Sequence, residues 1–277
     1  MTAQQPLSLG FSPCPNDTFI FHALVSGLIP TPGFLIQPPV LADVESLNQW
    51  AMKAKLDITK LSFHALGHVL DQYTLLMAGA ALGRGCGPLL ISRDEIDPSK
   101  LTKQTIAVPG HFTTAAMLLR LCYPECQTLI AMRFDQIMPA VAAGDVSAGV
   151  IIHESRFTYP RYGLRLVTDL GSWWEKTTGH PIPLGGIAVR RSLGHKLIAA
   201  LETAIRNSLR SAHANPAQAS LYIRNHAQEI DDQVTANHIA LYVNDFSLDL
   251  GQEGIAAVRD FLTRGFNAGI FPHSPRL

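Results

Sequence analysis

The stretch SPCPNDTFIFHAL, residues 12–24, sets two prolines around a cysteine and then Asn-Asp-Thr directly ahead of an apolar run. It follows LSLGFS (7–12), a short run of strand character. Neither Pro13 nor Pro15 has an amide to give a sheet ladder, so the strand stops there. Asn16 or Asp17 is then placed to cap the helix expected over DTFIFHALVSGL (17–28). A strand cut short ahead of a helix N-terminus is the repeating unit of an α/β fold, and free amides at such an end suit a carboxylate or another electronegative group. Asp17 works against an anion close by and is better suited to a substrate hydroxyl. A helix cap with no further role is the plain alternative.

Working outward, short strand-like runs alternate with amphipathic stretches, which predicts an α/β fold with mostly parallel sheets. VESLNQWAMKAK (44–55) reads as a helix and LDITKLS (56–62) as a strand, followed by strands LLMAGAALG (75–83) and GPLLISR (87–93) around a Gly-rich turn. DEIDPSKLTKQ (94–104) is charged, carries a proline and reads as a linker, and TIAVPG (105–110) opens a second α/β unit. The helix and strand of 47–64 find an echo in pattern, with little identity, at 137–154. HKLIAALETAIRNSLRSAHA (195–214) and GIAAVRDFLTRGFNAG (254–269) are helical and are expected to return to the first unit. The expected organisation is a first lobe from 1–92, an inserted second lobe from 93–183, and a return segment with C-terminal helices from 184–277. A ligand then sits in the cleft between lobes, beyond the carboxyl ends of the strands.

Composition bounds the function. A chain of 277 residues that is 47% hydrophobic and 16% charged can bury the core of one large domain or two smaller ones. Lysine plus arginine equal aspartate plus glutamate at 22 each, so no excess charge draws the protein to nucleic acid or an acidic membrane. The N-terminal residues carry no secretion signal pattern, and no window approaches the roughly 20 apolar residues of a membrane span. The cytoplasm is the expected location. Cys14, Cys86, Cys122 and Cys126 make no CxxC pair and are expected to stay reduced there.

Several strand ends carry candidate chemistry. At VPGHFTTAAMLLRL (108–121) a strand ends in Pro-Gly and Thr113 and Thr114 open a helix, giving two hydroxyls and free amides with no acid beside them. Ordinary capping explains the same threonines equally well. Lys60 and Ser62, in LDITKLSFHALG (56–67), offer a cation and a hydroxyl, although a lysine there is commonly solvated unless the lobes close over it. His153 follows the apolar VSAGVII and precedes Glu-Ser-Arg, so its imidazole falls at a strand's carboxyl end. Such a histidine can remove a proton at physiological pH, tuned by Glu154, Ser155 or Arg156. It can also be a strand-end residue satisfied by a backbone carbonyl. His64 and His68 have the i, i+4 spacing of a metal pair but lack the HExxH glutamate and a third ligand, so no metal is expected. No GxGxxG, GxxxxGK[ST] or GxSxG motif occurs, which leaves nucleotide cofactors and serine-hydrolase chemistry unsupported. Trp173 and Trp174 either cover an aromatic ligand or pack an interior.

SPCPNDTFIFHAL, the FTTA segment and GVIIHESRFTY, in this order, resemble the 1,4-dihydroxy-6-naphthoate synthase family of the futalosine route to menaquinone. The resemblance covers nearly the whole chain. It implies the two-lobed fold of type II periplasmic binding proteins and a lyase acting on cyclic dehypoxanthine futalosine. That enzyme breaks a carbon–carbon bond to leave 1,4-dihydroxy-6-naphthoate, releases dihydroxyacetone, and needs no cofactor. The resemblance puts the proton-accepting histidine on His153 and substrate contacts on Lys60, Leu61 and Ser62 and on Thr113 and Thr114. Asn16 and Asp17 become candidates for orienting substrate hydroxyls. The implied partner is a small molecule with a carboxylate, and the sequence does not choose between monomer and homodimer. Two alternatives stand beside it: a binding protein that uses the same cleft without chemistry, and chorismate dehydratase of the same pathway, whose N-terminal strand and turn read differently.

Overall fold

Two mixed sheets carry the fold of the computed structural model, which describes residues 4–226 and 231–277. The first sheet runs in the order Val40–Leu41, Leu9–Phe11, Ile58–Ser62, Ile182–Arg190, Tyr73–Leu75, with Ala81–Gly83 also paired to Ile182–Arg190. The second runs Leu129–Ala131, Ile106–Val108, Ala148–Ile151, Leu89–Ser92, Arg165–Asp169. A separate parallel pair joins Gln5–Leu7 to Phe34–Ile36.

The expectation of mostly parallel sheets is corrected. Leu9–Phe11 is parallel to both neighbours, and so is Ile106–Val108. Ile182–Arg190, however, is antiparallel to each strand it pairs with, and Leu89–Ser92 is antiparallel to both of its neighbours. These two strands are the ones by which the chain enters a sheet from the other sheet. Arriving from the far side of a crossing, they run against the strands laid down by the local βαβ units. Where the outward and return crossings meet, Gly87 and Gly171 touch backbone to backbone, and a Cβ on Gly87 would stand 2.3 Å from Gly171 Cα.

The first helix spans Pro15–Val25 and starts earlier than the sequence reading placed it. Pro15 occupies the first helical position, where its fixed φ is already helical and its missing amide costs nothing. The N-cap is Cys14, which makes no side-chain cap bond, so the expectation that Asn16 or Asp17 caps this helix is corrected: both lie in its first turn. The strand expected over 75–83 divides into Tyr73–Leu75 and Ala81–Gly83.

A continuous apolar core passes through both sheets. It joins Leu61, Tyr73 and Ala188 of the first to Ile106, Val108 and Val150 of the second. Helix Thr114–Cys122 and helix Gly251–Asn267, through Met117, Val258 and Phe261, complete it. Each Leu, Ile, Val, Met or Phe among them contributes about 1.5–3 kcal/mol on burial, so this core ties the sheets together around the site. Helix His195–Ala214 packs on the first helix, where the Ser208 hydroxyl donates to Ile20 O at 2.7 Å and accepts from Leu24 N at 3.1 Å. The four cysteines are free thiols. Among the described residues no helix is long and apolar enough to cross a membrane.

Candidate active site

All eight residues singled out from the sequence line one cavity of about 90 Å3: Asn16, Asp17, Lys60, Leu61, Ser62, Thr113, Thr114 and His153. Mostly apolar side chains supply the rest of its walls, among them Val44, Ile152 and Leu184, together with Ser12 and Tyr242. His153 also lines a second cavity of about 220 Å3, whose walls include Cys14, Arg133, Phe134 and Glu154. The imidazole therefore stands at the junction of an apolar chamber and a more polar one.

The abrupt stop at residues 12–17 builds the first wall. Because Pro13 and Pro15 turn the chain straight from strand into helix, the Asp17 carboxylate reaches back to the strand end. Its Oδ2 accepts from Ser12 N at 3.2 Å and Ser12 Oγ at 2.8 Å, and its Oδ1 accepts from Asn16 Nδ2 at 2.9 Å. Lys60 Nζ donates to Oδ1 at 2.5 Å. Lys60 is only 5% exposed, so it is a buried counter-ion to Asp17 and not a solvated surface lysine. A buried carboxylate with four donors is a satisfied group, and it fixes where Lys60 and Asn16 face the cavity.

Ser62 ends strand Ile58–Ser62 against Asn48, whose Oδ1 accepts from Ser62 N at 2.9 Å and whose Nδ2 donates to Ser62 Oγ at 3.2 Å. The Ser62 hydroxyl is thus an acceptor towards Asn48, and its own proton is available to a ligand. Asn48 also donates to Phe112 O at 3.3 Å, tying this wall to the loop before Thr113. The same loop is held by Glu45, which accepts from the amides of His111 and Phe112, each at 3.1 Å.

The paired threonines behave differently from the expectation of two hydroxyls offered to an anion. Thr113 is the N-cap of helix Thr114–Cys122: its Oγ1 accepts from Ala116 N at 3.2 Å and donates to Gly110 O at 2.8 Å. Thr114 Oγ1 donates to Leu184 O at 2.6 Å, across to the strand of the first sheet. Both hydroxyl protons are committed to carbonyls. With Ala116 N taken by the cap, the donors left for an anion at this end are the amides of Thr114 and Ala115. The expectation that no acid sits beside them is corrected, since the Glu45 carboxylate is held on the amides of His111 and Phe112.

His153 takes φ +57, in the left-handed region. For a residue with a Cβ this costs about 1–2 kcal/mol, and such strain persists where the surroundings enforce it. The turn swings the imidazole off the end of strand Ala148–Ile151 into the junction of the cavities. Phe134 meets the ring edge-on at 5.2 Å, and Cys14 Sγ lies 3.9 Å from Nε2. Burial pushes the Cys14 thiol well above its ordinary value, so the sulfur beside that nitrogen stays protonated. Burial also lowers the His153 pKa, opposed by the Glu154 and Asp17 carboxylates and reinforced by Lys60. The outcome is a neutral imidazole near physiological pH with carboxylates close enough to receive its charge, the condition of a general base. Of the neighbours expected to tune it, Glu154 does so, whereas Arg156 turns away to Gly87 O and to Asp169, 3.5 Å from its Nη2.

Other candidates resolve into packing. His64 and His68 cluster with Phe112 and Phe271, and His64 Nδ1 donates to Thr113 O at 3.1 Å, bracing the helix start. Trp174 is buried, donates to Pro181 O at 3.1 Å and meets Phe261 edge-on. Sequence reasoning missed Ser12, Asn48 and His238, the last contacting Asn16 at 2.9 Å from 222 residues away. Ser12 opens the motif itself and was open to notice; nothing local marks the other two.

The family model described as menaquinone biosynthesis matches residues 7–267. The chain is 52% identical over 272 residues to 1,4-dihydroxy-6-naphtoate synthase of Thermus thermophilus, covering 98% of each chain. Among solved structures, a protein from Archaeoglobus fulgidus superposes with a TM-score of 0.89 at 34% identity, over 96% of this chain and 98% of that one. A Candida albicans protein with the generic periplasmic binding protein fold superposes with a TM-score of 0.68 at 12% identity, over 97% of this chain and 92% of that one. The expected two-lobed α/β architecture is therefore that of the periplasmic binding proteins, and by sequence this chain belongs to the menaquinone biosynthesis family.

Proposed function

We propose that the protein is a 1,4-dihydroxy-6-naphthoate synthase: a cytoplasmic carbon–carbon lyase that converts cyclic dehypoxanthine futalosine to 1,4-dihydroxy-6-naphthoate and dihydroxyacetone on the futalosine route. The cleft divides a first lobe built on the first sheet from an inserted lobe built on the second. Because Leu89–Ser92 pairs in the second sheet and Ile182–Arg190 in the first, the inserted lobe begins and ends a few residues ahead of the expected bounds 93 and 183. His153 takes a hydroxyl proton from the substrate. The new carbonyl forms on the departing three-carbon fragment, and the electron pair of the broken bond passes to the ring, which tautomerises to the naphthalenediol. The imidazolium so formed is offset by Glu154 and Asp17. Lys60 and Ser62 meet polar groups of the substrate, Leu61 its ring, and the start of the helix at Thr113 and Thr114 receives the carboxylate. Asn16 and Asp17 orient hydroxyls. Closure of the lobes keeps water from an oxidisable product.

The observation that carries this reading is the placement of His153, a strained left-handed residue whose neutral imidazole stands between an apolar and a polar chamber. Purified protein incubated with cyclic dehypoxanthine futalosine, followed by mass spectrometry, tests it. Equal amounts of naphthoate and three-carbon product are expected. Saturable binding of the naphthoate with no turnover of the substrate contradicts the reading and leaves a binding protein.

A further inference from the structure

Helix Asp232–Tyr242 sends His238 to the back of the cavity wall, where the residue is 1% exposed. Its Nε2 lies 2.9 Å from Asn16 Oδ1. The tautomer follows from what stands behind Asn16. Asp17 already receives Lys60 and both donors of Ser12, and an ionised carboxylate can only accept, so the group Asn16 turns to it must be its NH2. That leaves Asn16 Oδ1 facing His238. An amide oxygen only accepts, so His238 Nε2 carries the hydrogen and Nδ1 carries a lone pair.

Nδ1 is buried and has no hydrogen-bond partner among the described residues. It faces Glu154 Oε2 at 4.0 Å, an acceptor as well. The ring is otherwise enclosed by Tyr242, 4.6 Å away, and by His153, 6.0 Å away and nearly parallel. Leaving a buried polar nitrogen unpaired is unfavourable, so a ring retained in this setting is held by what its other nitrogen does.

We infer that His238 is a positioning residue of this site: as the Nε2–H tautomer it locks the Asn16 carboxamide, and through it the Asp17–Lys60 pair, in the arrangement the cavity presents. The chain of contacts runs from His238 through Asn16 to Asp17, and from Asp17 to Lys60 and Ser12. Releasing Asn16 frees its amide to turn and withdraws a donor from Asp17. The effect reaches the substrate through these residues, without His238 touching it. Burial and the neighbouring His153 both hold the His238 pKa well down, which keeps Nδ1 free of a second proton.

This inference rests on the proposed reaction only where turnover is measured, so two readouts separate them. The first compares His238→Gln with His238→Phe. Glutamine places an N–H where Nε2 stood but removes the ring; phenylalanine keeps the ring and removes the N–H. Positioning predicts that His238→Gln keeps kcat/KM within about threefold of wild type while His238→Phe loses about tenfold or more, the cost of one hydrogen bond in a transition state. In an Asn16→Ala background His238→Phe should add no further loss. The reverse ranking, with phenylalanine active and glutamine impaired, assigns His238 to packing and overturns the inference. The second readout uses the wild-type protein without substrate: histidine 15N resonances should show His238 neutral and protonated at Nε2. The Nδ1–H tautomer overturns the inference whatever the enzyme turns over, and the expected tautomer in a protein with no activity sinks the proposed reaction while this assignment stands.

Discussion

Lys60→Met sets an apolar side chain of similar length against a buried carboxylate. In the native protein Lys60 Nζ lies 2.5 Å from Asp17 Oδ1, with the two side chains 6% and 4% exposed. Removing one partner of a buried ion pair costs about 3–5 kcal/mol, because the other charge is left uncompensated. Asp17 keeps three donors: Ser12 N at 3.2 Å, Ser12 Oγ at 2.8 Å and Asn16 Nδ2 at 2.9 Å. Hydrogen bonds to a charged group contribute about 1.5–3 kcal/mol each, which places the expected loss at the lower end, about 3 kcal/mol. Asp17→Asn alone strands the ammonium and should cost about as much. With both charges gone, the double variant should be more stable than the sum of the singles by about 2 kcal/mol or more. Urea unfolding followed by circular dichroism on the four proteins gives the coupling. Effects that add to within about 0.5 kcal/mol would refute the reasoning, since they would mean that the two groups do not compensate each other.

Two further stability predictions come from other parts of the site. Gly110 has φ +144, and a Cβ there would lie 2.3 Å from Glu45 Oε2, so Gly110→Ala must push Glu45 off the amides of His111 and Phe112. The expected loss is about 2–4 kcal/mol from strain and lost charged hydrogen bonds, falling by about half in a Glu45→Ala background, again read by urea unfolding; a loss that does not shrink places the cost elsewhere. His64 is held neutral by burial, its pKa lowered to about 3 from 6.5. The unfolded chain therefore binds a proton that the folded protein refuses, so stability contributed by His64 is full above pH 6.5 and is lost as pH falls towards 3. His64→Phe, which keeps an aromatic ring beside Phe112 and Phe271, should remove up to about 1.4 kcal/mol per pH unit from the slope of unfolding free energy over the acid half of that range. An unchanged slope would show that His64 charges freely in the folded state.

What the sequence made legible was the set of strand ends. Polar residues directly after an apolar strand run mark where a strand stops, reinforced by Pro13, Pro15 and Pro109 at two of the four places, and each segment so marked reached the same cavity: Asn16 and Asp17, Lys60 to Ser62, Thr113 and Thr114, and His153. The partners of those residues were not legible. Asp17 read as a cap because capping is a local signal, whereas its ion pair with Lys60 spans 43 residues and its link to His238 passes through Asn16 over 222. The threonine hydroxyls read as ligand donors because their acceptors, Gly110 O and Leu184 O, are backbone atoms that no side-chain pattern reveals. Strand direction in the sheets was misread for a related reason. Alternation of strand and helix implies parallel pairing within a unit, but Leu89–Ser92 and Ile182–Arg190 take their direction from the crossings. The left-handed turn at His153 had no glycine to announce it.

The account turns on His153 as the base, and His153→Asn tests it most directly. Asparagine tolerates the left-handed backbone but takes no proton, so the fold and the cavity should survive the change. Single-turnover conversion of cyclic dehypoxanthine futalosine would be measured beside the affinity for 1,4-dihydroxy-6-naphthoate. Loss of a general base predicts a rate lower by about 100-fold to 10,000-fold with product affinity held within about threefold. A variant that turns over within about tenfold of wild type would contradict the assignment of His153 and with it the mechanism proposed for this site.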